Sequence, residues 1–156
     1  MERVRARGWK VCAGGRMLGG MAKTHPHITA PTPAQLARLV EDRPEPIAQT
    51  YLALHALVLE TLPDVEHSVD EVDASIGYAA HQYGYNGWGM AAVTPHSRWV
   101  SLTLLQGSRL PDPSGLLEGT AVMRHVKPRA PEEVEEHRVD LTALLLAAAR
   151  LCEERD

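Results

Sequence analysis

The chain has 156 residues, 44% of them hydrophobic and 23% charged, with a net charge of −4. That length fits one domain able to bury a core of its own, and the composition is that of a soluble globular protein. The acidic balance argues against nucleic-acid binding, which needs a concentrated basic face to neutralise several phosphates.

Five cations in residues 1–20 stand against Glu2 alone, so the remainder is more acidic still. Arg16 and paired glycines interrupt any apolar core of a signal peptide there, and Met21 reads as a natural start. Cys12 and Cys152 lie far apart with no metal-ligand spacing, which fits free thiols and a cytoplasmic location. No apolar run reaches the roughly 20 residues that cross a bilayer, so no membrane partner is expected.

Residues 1–32 are expected to form a flexible extension and 33–156 a single domain. Within the extension, residues 22–33 hold Pro26, Pro31 and Pro33 and read as an extended arm; its His25 and His27 read as solvated rather than metal-bound. Thr32 and Pro33 supply an N-cap and first position for a short helix that ends before Pro44. A longer helix over Glu45 to Leu62 presents Ile47, Tyr51, Leu54, Val58 and Leu62 as one apolar stripe.

The next segment gathers Asp64, Glu66, Asp70, Glu71 and Asp73 around His67. It reads as a solvated acidic edge or as a hard-cation site, with Asp70, Glu71 and Asp73 as the metal ligands. Strand character runs from Val72 to Tyr83, returns at Trp88 to Val93 and again from Trp99 to Leu105. Asn86-Gly87 and Thr94-Pro95-His96-Ser97 provide the turns of an antiparallel meander.

Five of the seven aromatics fall in this meander, among them Tyr78, Trp88 and Trp99, with His81 and His96 close by. Such residues either line a pocket or pack across strands. A loop containing Pro111, Asp112, Pro113, Gly115 and Glu118 leads to a further strand, Thr120 to Lys127. That strand carries Arg124 and His125, which either protect a sheet edge or hold an anion.

A C-terminal helix opens at Pro131 with Glu132 and Glu133 in its first turn and buries Val134, Leu141, Leu145, Ala148 and Cys152. The element order predicts an α+β two-layer sandwich, with an antiparallel sheet of about four or five strands and the N- and C-terminal helices on one face.

SxGxxA at Ser75 to Ala80, the Tyr85-Asn86-Gly87 turn, TPHxxWVSLTL at Thr94 to Leu104, LPDPSGLLEGT and MRHVK together resemble the YdhG-like bacterial domains of unknown function. The likeness spans about residues 45–150. It implies a frataxin-like fold and, from relatives described as iron chaperones, iron or another divalent metal as a ligand. Tyr78, Ala79 and Ala80 stand where many relatives carry a proline, and Ala121-Val122 where they carry Gly-Lys.

These observations predict a small cytoplasmic binding domain, not an enzyme, whose small ligand or protein partner meets the aromatic meander and the Leu110 to Thr120 loop. The residues assigned to that surface are Tyr78, His81, Trp88, His96, Trp99, Asp112, Glu118, Arg124 and His125. Two alternatives are metal delivery, through the acidic segment and the face Glu132, Glu133, Glu135 and Glu136, and a histidine-dependent enzyme with His81 or His96 as base. A free sheet edge also admits a homodimer.

Overall fold

A computed structural model describes residues 26–79 and 89–154. Its order is β1 (His27–Thr29), α1 (Pro33–Leu39), α2 (Glu45–Thr61), β2 (His67–Asp70), β3 (Ile76–Tyr78), β4 (Ala91–Pro95) and β5 (Val100–Leu104). A 3-10 turn at Gly107–Arg109, β6 (Arg124–Val126), α3 (Pro131–Glu136) and α4 (Arg138–Glu154) complete it. The six strands form one antiparallel meander in chain order, so the α+β architecture is that expected, with six strands rather than four or five.

The additional strands explain the difference. His27–Thr29, read in the sequence as part of an extended arm, pairs along β2. The acidic segment, read as a solvated edge, contains β2 itself, because Val69 alternates inward and is fully buried. Asp70 and Asp73 flank the following turn, where Asp70 accepts from Val72 N and Asp73 from Ser75 N. The strand predicted from Val72 begins only at Ile76, since residues 71–73 form that turn.

Register divides the sheet into two surfaces. Ile28, Val69, Ile76, Val93, Leu102 and Val126 stand opposite one another from strand to strand and form an apolar row across all six. The next row, on the other face by the alternation of side chains, reads Thr29, Ser68, Gly77, Ala92, Thr103 and His125.

The helices join the apolar row. Helix α2 lies against β4 and β5 with Ile47, Tyr51, Leu54 and Val58 buried, and α1, α3 and α4 lean on it. Thr32 closes a capping box with Gln35 at the start of α1. The C-terminal helix is interrupted at His137, which gives two helices where the sequence predicted one. Val134, Leu141, Leu145, Ala148 and Cys152 are nevertheless all buried, as their spacing predicted. Arg138 ties α4 to α2 through Glu60 and to α3 through Glu135. No helix among the described residues is long and apolar enough to cross a membrane.

Candidate functional site on the outer face of the sheet

The outer face owes its chemistry to the alternation in Val100–Leu104. Val100, Leu102 and Leu104 turn into the core, which leaves Ser101 and Thr103 side by side on the opposite surface. Each hydroxyl holds one imidazole. Ser101 Oγ shares a 2.9 Å hydrogen bond with Nε2 of His96, at the turn after β4, and Thr103 Oγ1 shares another of 2.9 Å with Nδ1 of His125, on β6. The two hydroxyl groups are buried, whereas His96 is exposed and His125 half-buried, so the rings form the accessible layer.

Three further groups complete the site. The Trp99 ring lies 5.4 Å from that of His96, and Lys127 Nζ stands 5.2 Å above the Trp99 ring. Trp99 Nε1 is the buried side-chain polar atom left without a hydrogen-bond partner among the described residues. Glu118 Oε1 is 3.8 Å from Lys127 Nζ, and its backbone pairs with that of His125 in both directions.

Burial, followed by the positive charges of Arg43 and Lys127 and repulsion from His125 when that ring is protonated, holds the His96 imidazole below its ordinary range. His125 is lowered for the same reasons, burial first and then Lys127, with Glu118 opposing. Both rings are therefore mainly neutral at pH 7, beside two permanent cations. Such a cluster offers N–H donors and positive potential to an acceptor-rich group, in a chain whose net charge is negative.

The other residues singled out in the sequence fall elsewhere. Tyr78 belongs to the helix-facing side, fully buried, its hydroxyl 2.8 Å from His55 Nδ1. Asp112 caps its own loop, accepting from Leu116 N and Leu117 N, while Ser114 reaches Asp140 at the start of α4. The Asp112 to Ser114 part of that loop thus docks toward the helices, and only Glu118 at its end reaches the outer-face group. Arg124 Nε donates to Ala121 O, and the Arg124 stem fills the space beside Gly107. His81 and Trp88 lie outside the described residues.

A cleft of about 140 Å³ beside β6, lined by Leu116, Glu118, Val126, Lys127, Glu133, His137 and Leu141, shares Glu118 and Lys127 with the outer-face group and is smaller than the roughly 300 Å³ that small-molecule pockets start from. Among the described residues no three His, Cys, Asp or Glu side chains gather as a metal site requires. The sequence reading named His96, Trp99, Glu118 and His125 but missed Ser101 and Thr103, whose signal was the polar alternation of VSLTL. Comparison with protein-family models, with curated proteins and with solved structures finds no match.

Proposed function

We propose that the chain is a small binding domain that takes a small anionic ligand, carrying a carboxylate or phosphate, at His96, Trp99, His125 and Lys127. One observation carries the reading: two imidazoles from elements on either side of β5 are each held by a hydroxyl of that strand and share their surroundings with Lys127. Ordering two rings over neighbouring hydroxyls pre-organises donors, and pre-organisation lowers the cost of binding. The Lys127 ammonium supplies the charge and Trp99 a flat wall.

The reading favours binding over catalysis. His96 and Ser101 form a hydrogen-bonded pair, but a nucleophile needs access and Ser101 is 4% exposed. Membership among the YdhG-like domains and a cytoplasmic setting belong to the same proposal, supported by the motif order and by the composition. The α+β architecture is compatible with that likeness but common to many activities.

Calorimetric titration with a panel of small carboxylates and phosphate monoesters tests it. Saturable binding that weakens at least tenfold in Lys127→Gln and in His125→Gln is the expected result. Equal affinity in both variants, or no heat from any member of the panel, would overturn it.

A further inference from the structure

Helix α4 has a face that no other described element covers. Val139 is 81% exposed and Leu146 42%, large apolar side chains that the fold leaves in solvent, and Ala143 and Arg150 are exposed along the same line. These positions and Glu153 follow one another at steps of four, three, four and three, the spacing with which paired helices meet along a seam. The opposite face of the helix, Leu141, Leu144, Leu145, Ala148 and Cys152, is already buried in the core.

The seam fits a second copy of itself run antiparallel. A two-fold axis between positions 143 and 146 sets Ala143 of each copy against Leu146 of the other, so each leucine fills the space beside an alanine. The same register puts Arg150 opposite Val139 and next to Asp140 of the second copy. There the arginine stem can cover the exposed valine while its guanidinium meets the Asp140 carboxylate, which Ser114 holds in place through a 2.9 Å hydrogen bond. A parallel pair would set Arg150 against Arg150 and Asp140 against Asp140, and like charges so placed repel.

We infer that the chain self-associates through α4 as an antiparallel dimer, with Ala143 and Leu146 at the centre of the interface and Val139, Asp140 and Arg150 at either end. From Val139 to Arg150 the helix rises only about 16 Å. The buried area therefore falls at the low end of specific interfaces, and the dimer is reversible. None of these residues belongs to the outer-face ligand group.

Sedimentation equilibrium of the full chain, from about 10 µM to about 1 mM, covers the range in which so small an interface forms. Wild type is expected to pass from monomer to dimer. Leu146→Glu should raise the dissociation constant at least tenfold while leaving the thermal melt of the dilute protein unchanged, and Ala143→Glu gives the same reading from a second position on the seam. Arg150→Glu should weaken the dimer, and Asp140→Arg added to it should restore the lost affinity, since the ion pair then re-forms with its signs exchanged. A monomer at every concentration, a dimer indifferent to both Leu146→Glu and Ala143→Glu, or a charge exchange that restores nothing would overturn the inference.

Discussion

Ser101 Oγ and His96 Nε2 are 2.9 Å apart across the tight turn that joins β4 to β5, whose closure also brings His96 N to the Trp99 carbonyl oxygen at 2.8 Å. The turn therefore fixes both the backbone and the ring, and the neighbouring pair of Thr103 and His125 repeats the arrangement one strand on. Both hydroxyls belong to a strand whose other side chains form the centre of the core.

Thr103→Val keeps the shape of the side chain and removes the bond to His125. The loss of one such hydrogen bond, with the partner half-buried, costs about 1 kcal/mol. Urea denaturation should show that loss with an unchanged m-value, and the His125 imidazole resonances should broaden as the ring gains freedom. A ring that stays fixed would mean the hydroxyl does not orient it.

Acid should strengthen ligand binding while weakening the fold. Since the folded protein holds His96 and His125 below the ordinary imidazole value, neither is protonated until pH falls below about 6.5, and a bound anion would favour the protonated form. Affinity for a carboxylate probe is expected to rise as pH falls from 7.5 to 5.5, with proton uptake measurable by calorimetry in buffers of different ionisation enthalpy. A flat profile would remove the two rings from the site.

For stability the sign is opposite. His55 is held down to about 4 by burial first and His67 second, while the unfolded chain titrates near 6.5. The unfolded state then takes up the proton first, so stability is complete above pH 6.5 and falls as pH drops toward 4, by at most about 3 kcal/mol from this one group. Thermal melts between pH 7 and 4 should show the decline, and His55→Gln should flatten it.

The helices were legible because their periodicity is long and strong. Ile47, Tyr51, Leu54 and Val58 recur on one face over several turns, and each is buried as its spacing requires. The outer strands were not, because β1 and β2 have three and four residues and their inward members, Ile28 and Val69, are single apolar residues among prolines, histidines and acids. Four residues of the outer-face site, His96, Trp99, Glu118 and His125, were named from the sequence. Their partnership was not, since it depends on the cross-strand register that sets Thr103 opposite His125. Asp112 looked like a ligand residue because a carboxylate in a proline-rich loop has two uses, and here both its oxygens accept from the loop's own backbone.

That loop supplies a structural prediction. Asp112→Ala removes the acceptors of Leu116 N and Leu117 N and should cost about 1–2 kcal/mol. Hydrogen exchange is expected to accelerate at those two amides before it does anywhere in β5. Uniform acceleration across the sheet would show the loop to be part of the cooperative core.

Gly107 is constrained by its neighbour. A Cβ there would lie 2.5 Å from Arg124 Cβ, backbone-close on a strand that cannot easily retreat. Gly107→Ala should therefore destabilise by about 1–3 kcal/mol through overpacking. Pairing it with Arg124→Gly should recover part of the loss in a double-mutant cycle, and strict additivity would rule out the contact as the cause.

The most direct measurement of the ligand surface is a titration of isotopically labelled protein with the tightest-binding carboxylate or phosphate, followed at the side chains. The account predicts shifts concentrated at the His96 and His125 imidazoles, the Lys127 ammonium and the Trp99 indole N–H, with Glu133 and His137, which share a small cleft with Lys127, silent. Shifts centred on Glu133 and His137, or spread evenly over the surface, would contradict it.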